Sequence, residues 1–303
     1  MIERVTDLKR RCYQILMLVL VVCLLGVSAY SAEKAEENEL TAPTASGVLT
    51  KKGGKATIDY SNTEDGYVMV NYNAETTKRL KVQIKGPATT YTYNLTPGKW
   101  EVFPLTEGDG NYQTVVYENV GGTRYSALVS AKFKVTLENE FSPFLQPSQY
   151  VNYTVAPNTV AKAAEVVAGK TTTLDQVKAV YDFVIGNFTY DNYLAATVQS
   201  GYAPDLDAVL ERKTGICFDY AAMMTGMLRS QGIPCKMVFG YVDTMYHAWI
   251  SVWMEEAGWV DAIYFDGITW RQMDPTFASS ALHSGRGNQD VTSGFVYTSK
   301  YQY

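Results

Sequence analysis

The chain has 303 residues, 47% hydrophobic and 19% charged, with 26 basic residues against 31 acidic and a net charge of −5. At ~100–200 residues per domain this length holds two domains, each able to bury a core, and the composition is globular rather than disordered. The acidic balance excludes the basic footprint that a nucleic-acid partner requires.

The first stretch reads as a leader rather than as part of a fold. Arg4, Lys9, Arg10 and Arg11 make a net basic start, Ile15 to Val27 is an unbroken apolar run, and small residues follow in Val27-Ser28-Ala29 and Tyr30-Ser31-Ala32. This is the layout of a signal peptide over residues 1–29, cut after Ala29 or Ala32. The run is shorter than the ~20 residues that span a bilayer, and an uncleaved anchor is the second reading. Leu20-Val21-Val22-Cys23 lacks the small residue that normally precedes a lipidated cysteine. The chain is therefore expected to be secreted or displayed at the cell surface, touching the membrane only through this segment if it is retained.

Residues 30–46, acidic and then Thr/Ala/Pro/Ser-rich, read as a linker. Residues 47–140 alternate at strand period in Tyr67–Tyr72, Leu80–Ile84, Tyr91–Leu95, Tyr112–Tyr117 and Tyr125–Leu137, with turn signals at Gly86-Pro87, Pro97-Gly98, Gly108 to Asn111 and Gly121-Gly122. About seven short strands at this spacing predict an all-β sandwich, an accessory unit without chemistry of its own. Pro143, Pro147 and Pro157 mark a boundary, after which residues 148–303 form a second domain. Helical periodicity begins over Thr159–Ala168 and strengthens over Thr173–Phe188. Residues 189–204 read as a polar and aromatic loop, and Asp205 as the cap of a short helix through Leu210.

The chemistry concentrates after that point. Gly215-Ile216-Cys217-Phe218-Asp219-Tyr220 opens a helix with Cys217, Tyr220, Ala221, Met224, Met227 and Leu228 on one face, stopped by Gly232 and Pro234. Cys217 thus stands at a helix N-terminus, where the partial positive charge favours a thiolate and free N–H groups can receive an oxyanion. Strands follow over Lys236–Val242 and Tyr246–Trp253, then Trp259–Tyr264 and Thr269–Met273, with His247 near the start of one and Asp274 after the last. A helix-borne thiol facing a sheet-borne imidazole is an arrangement for nucleophilic acyl chemistry. Asp219 has two readings, helix cap or part of the site. Cys235 reads as buried, and His283 as a surface residue in a loop-like stretch from Ser279 to Gly287. A Cys217–Cys235 disulfide is the rival reading in an exported chain, and it would abolish the nucleophile.

Gly215-x-Cys217-x-Asp219-Tyr220-Ala221, His247-Ala248-Trp249 and Trp270-x-x-x-Asp274-Pro275-Thr276 resemble, in order and spacing, the motifs of the transglutaminase-like superfamily, a branch of the papain-like cysteine enzymes. The resemblance covers about residues 150–280. It implies an α+β architecture in which the nucleophile helix packs on an antiparallel sheet, behind an N-terminal all-β sandwich. It also implies a triad with Cys217 as nucleophile, His247 as general base and acid, and Asp274 orienting the imidazole. The activity implied is acyl transfer or peptide hydrolysis on amide bonds through a thioester, with a protein, peptide or cell-wall peptide as substrate. The sequence shows no calcium loop, zinc-ligand cluster, phosphate loop or dinucleotide fingerprint, and thiol chemistry needs no cofactor. The alternative is a catalytically silent surface protein whose core serves as a peptide- or cell-wall-binding module.

Overall fold

The computed structural model describes residues 42–303, apart from 256, 262, 266–269, 273 and 285–294. The expected leader over residues 1–29, and the linker up to residue 41, lie outside the described residues. Among the described residues no helix is long and apolar enough to cross a membrane.

Eight strands open the fold: β1 (Thr50–Gly53), β2 (Ala56–Asp59), β3 (Tyr67–Tyr72), β4 (Leu80–Lys85), β5 (Thr90–Asn94), β6 (Trp100–Pro104), β7 (Gly110–Gly121) and β8 (Arg124–Val135). They form two four-stranded antiparallel sheets, ordered β1-β2-β3-β6 and β5-β4-β7-β8. Alternation decides which side each strand buries. In β4, Leu80, Val82 and Ile84 are buried while Lys81, Gln83 and Lys85 are not. Tyr93 of one sheet meets Phe103 of the other edge-on, with ring centroids 5.0 Å apart.

The second half runs α1 (Pro157–Val167), α2 (Thr173–Asn187), β9 (Thr189–Tyr190), α3 (Asn192–Thr197), α4 (Leu206–Arg212), β10 (Thr214–Gly215) and α5 (Cys217–Arg229). Then follow β11 (Cys235–Val242), β12 (Met245–Met254), β13 (Gly258–Asp261), β14 (Ile263–Phe265), β15 (Trp270–Gln272), α6 (Pro275–His283) and β16 (Tyr297–Gln302). The main sheet is antiparallel, ordered β13-β12-β11-β16. Every residue of α5 from Asp219 to Arg229 is buried. A helix buried all round belongs at the centre, and α5 lies between the sheet and the other helices. The architecture is thus α+β, an all-β region followed by a helix on an antiparallel sheet. Gly240 allows β16 to close against β11: a Cβ there would stand 2.0 Å from the Thr298 carbonyl oxygen and 2.7 Å from the Trp249 ring.

Two differences from the sequence reading stand out. Residues 189–204, read as loop, contain α3, a helix with no buried residue whose apolar pattern had nothing to report. Residues 275–283, read in part as loop, form α6. Its start was legible in Asp274-Pro275, a cap followed by proline at the first helical position, but Ser279-Ser280 masked the rest. His283 ends this helix, exposed, with Nδ1 2.8 Å from the Ser279 carbonyl oxygen.

The two regions share one apolar core. Tyr303 packs edge-on against Tyr91 and Tyr93 of the β-region (5.3 and 5.7 Å) and against Tyr150 and Phe239 (5.0 and 5.6 Å). Behind it lies Arg229, fully buried, which donates to the carbonyl oxygens of Cys235 (2.9 Å), Gln146 (2.6 Å) and Tyr303 (2.7 Å). One guanidinium fork therefore holds three separate stretches of chain. Arg229→Met is expected to lower unfolding free energy by about 3 kcal/mol, because it leaves three buried carbonyls without donors. A urea midpoint unchanged from the parent would refute this.

Candidate active site

The turn that carries Cys217 is built from its neighbours. β9 and β10 pair in parallel, with Gly215 opposite Tyr190, so the chain enters α5 alongside Tyr190. Ile216 is the N-cap residue and offers no side-chain acceptor. Asp219 supplies one by reaching back: its Oδ2 accepts the Ile216 N–H at 2.8 Å. Its Oδ1 accepts from Arg212 Nη2 at 2.9 Å and from the Tyr202 hydroxyl at 2.5 Å. Burial pushes this carboxyl up from its ordinary range, while the Tyr202 hydroxyl, the Ile216 N–H and Arg212 pull against it. Gly215 is required by the same packing, since a Cβ there would fall 2.5 Å from the Asp219 Cβ. Of the two readings of Asp219, the geometry gives the cap, extended into a clamp on Tyr202 and Arg212.

Cys217 is the first residue of α5 and partly exposed. His247 lies in β12 opposite Gly240, only 4% exposed, and stacks on Phe277 at 5.1 Å. Asp274 is fully buried at the start of α6. Its Oδ1 accepts the Thr276 and Phe277 N–H groups at 2.9 and 3.4 Å, and its Oδ2 meets His247 Nε2 at 2.7 Å. The helix cap thus holds one carboxylate oxygen and turns the other toward the imidazole. With Nε2 so engaged, Nδ1 is the ring nitrogen left for Cys217, which lines the same cavity as His247. Burial pulls the imidazolium's pKa down, but the charge and hydrogen bond of Asp274, then those of Cys217, outweigh it and push it up to about 10. The structure therefore brings the three sequence-selected residues together.

Cys235 is not paired with Cys217; both are free. Cys235 is fully buried, its Sγ 3.6 Å from Thr225 Oγ1, and burial pushes its thiol up to about 11. Trp249 is 2% exposed, and Tyr220 is fully buried with its hydroxyl 3.0 Å from Ser279 Oγ. The side chain of Trp270 lies outside the described residues. Among the described residues no group of three or more His, Cys, Asp or Glu is arranged to hold a metal.

A cavity of about 610 Å³ opens on Cys217 and His247. Aromatic rings line much of it, among them Tyr190, Tyr202, Phe218, Tyr246 and Tyr301, with the 198–201 loop along one side. Lys81, Thr92 and Asn94 of the β-region complete the wall. Sequence reasoning missed Tyr190, Tyr202 and this wall. Only the register of β9 on β10 places Tyr190 beside the nucleophile, and nothing in a single sequence brings residue 81 to residue 217.

Residues 160–275 match the family model described as the transglutaminase-like superfamily. This segment is similar to a transglutaminase-like core. The chain is also 33% identical over 106 residues to an uncharacterised protein, YebA, of Bacillus subtilis, covering 28% of this chain and 14% of that protein. A further match, 26% identical over 102 residues, is to a protein-glutamine gamma-glutamyltransferase of Pseudomonas aeruginosa, covering 29% of this chain and 14% of that one. The matched stretches thus span about a seventh of those relatives. Among solved structures, the periplasmic domain of TgpA from Pseudomonas aeruginosa aligns over 80% of each chain at 19% identity, with a TM-score of 0.36.

The raised His247 gives the transglutaminase-like core a pH signature. Its pKa rises from the ordinary 6.5 of a free imidazole to about 10 on folding, so the pair with Asp274 contributes stability fully below pH ~6.5 and loses it as pH climbs toward 10. The difference in urea midpoint between the parent and His247→Gln is therefore expected to be largest near pH 6 and to shrink progressively to pH 10. A difference flat across that range would contradict the pairing.

Proposed function

We propose that the chain is an exported thiol enzyme that opens amide bonds through Cys217, forming a thioester and passing the acyl group to an amine or to water. The observation that carries this is His247, held by Asp274 on one ring nitrogen and lining, together with Cys217, a cavity large enough for a peptide side chain. The leader-like start of the chain supports export. The name of the Pseudomonas aeruginosa relative favours a glutamine side chain as the acyl donor.

In this reading Cys217 Sγ adds to the amide carbon and the carbonyl oxygen takes the negative charge. The Cys217 backbone N–H, free at the start of α5, donates to it. Tyr190 is the second donor. It faces Gly215 across the β9–β10 pair and lines the cavity, and burial, then the charges of Cys217 and Asp274, push its hydroxyl up to about 12, so it keeps its proton. The imidazolium of His247 gives its proton to the departing nitrogen, the C–N bond breaks, and the thioester remains. His247, now neutral, takes a proton from the incoming amine or water as it attacks the thioester, and Cys217 leaves. Asp274 holds the ring through both steps.

Incubation with a glutamine-containing peptide and an excess of a primary amine, read by mass spectrometry, tests the proposal. Transfer appears as gain of the amine with loss of ammonia, and hydrolysis as conversion to glutamate. Cys217→Ala is expected to abolish both products while leaving the fold intact, and Tyr190→Phe to lower kcat by about 10²-fold. Full turnover in Cys217→Ala would overturn the proposal. Full turnover in Tyr190→Phe would remove that residue from it.

A further inference from the structure

The outer face of the sheet β5-β4-β7-β8 carries lysines and no carboxylate. Residues opposite each other in a sheet share a face. Lys81 stands opposite Asn94 and Tyr117, Lys85 opposite Thr90 and Gln113, Lys132 opposite Gln113, and Lys134 opposite Asn111. The positions between them on this face are Gln83, Thr92, Val115 and Ser130. Four ammonium groups thus share one surface of a chain whose net charge is −5.

None of the four is in an ion pair among the described residues. Of the acidic groups near the sheet, Glu118 pairs with Lys78, Glu107 accepts the N–H groups of Ala88 and Thr89, and Asp109 accepts the Leu137 N–H. A depression of about 510 Å³ lies on the face between Lys85 and Lys132. At the other end the face runs into the catalytic cavity, because Lys81 lines that cavity. Its ammonium is steadied at 2.6 Å by Asn94 Oδ1, and Asn94 is fixed in turn by two bonds with Gln149 (3.2 and 3.1 Å). Among the described residues no Asp or Glu lines the cavity.

We infer that this lysine face binds an acidic polypeptide segment of the substrate and leads it past Lys81 to Cys217. The inference takes its direction from the acyl-transfer site proposed above, and its charge from the β-region alone. Lys81 and Lys85 lie about 13 Å apart along their strand, and Lys85 and Lys132 about 10 Å apart across two strand spacings. An extended peptide covers that span in about six residues. The preferred acyl donor therefore carries several Asp or Glu residues within about ten positions of the reacting carbonyl. A discrete cationic track of this kind selects partners by charge and weakens with salt.

The test separates binding from chemistry by using Cys217→Ala protein and fluorescein-labelled peptides in anisotropy titrations. One peptide carries glutamine flanked by glutamates, and the other has serines in their place. The acidic peptide is expected to bind at least tenfold more tightly at low salt, with the gap closing at 0.5 M NaCl. Lys85→Glu/Lys132→Glu should abolish the preference, and the neutral pair Lys85→Gln/Lys132→Gln should reduce it. Equal affinities, or a preference that survives charge reversal, would overturn the inference. So would binding of polyphosphate or anionic lipid vesicles without binding of the acidic peptide. Alkylation of Cys217 by iodoacetamide in the parent protein, followed across pH, reads the nucleophile independently, so failure of the track is distinguishable from failure of the thiol assignment.

Discussion

A buried carboxylate at the start of the central helix sets the geometry on which the site depends. Asp219 has no exposed surface, yet it faces a backbone N–H, a guanidinium and a phenol. Satisfying it in a low-dielectric interior demands that all three donors arrive together. That requirement fixes the Gly215–Ile216 turn, hence the direction in which Cys217 leaves the helix. It also draws in Tyr202 and Arg212, which belong to the far wall of the cavity and to the end of α4. The nucleophile and one wall of its cavity are therefore held by a single charge.

The triad repeats the device with a second helix. Asp274 caps α6 with one oxygen and orients His247 with the other, so the imidazole's position is tied to the start of a helix rather than to a loop. Rigid elements supply each member: α5 the thiol, β12 the imidazole and the start of α6 the carboxylate. Their separation in sequence matters little once α5 is clamped between the sheet and the surrounding helices.

Much of this was legible in the sequence because it rested on local rules. Strand alternation in Leu80–Ile84 and Tyr67–Tyr72 followed from one buried face. The helix at Cys217 announced itself by a glycine before and Gly232-Pro234 after, and the three motifs brought His247 and Asp274 into view. What the sequence withheld was of another kind. α3 buries nothing and so left no periodic trace. The role of Tyr190 depends on a two-residue parallel pairing too short to leave a pattern. The lysines of the β-region alternate with core residues as any solvated strand face would, and their common surface exists only through the register of three strands. Asp219 was ambiguous because cap and site coincide there.

Gly240, with β16 lying across it, has a consequence for when the site comes into being. The cavity needs Lys81 and Asn94 from the first half of the chain, Tyr190 and Cys217 from the middle, and Tyr301 and Tyr303 from the segment that β16 carries into place. These stretches are separated by long loops of sequence whose closure is entropically unfavourable until the shared core forms. A partly folded chain thus holds a cysteine without its imidazole partner or its walls. On the proposed reading, reactivity arrives last, as a property of the completed molecule, and Cys217 is kept idle for as long as the chain around it is still finding its shape.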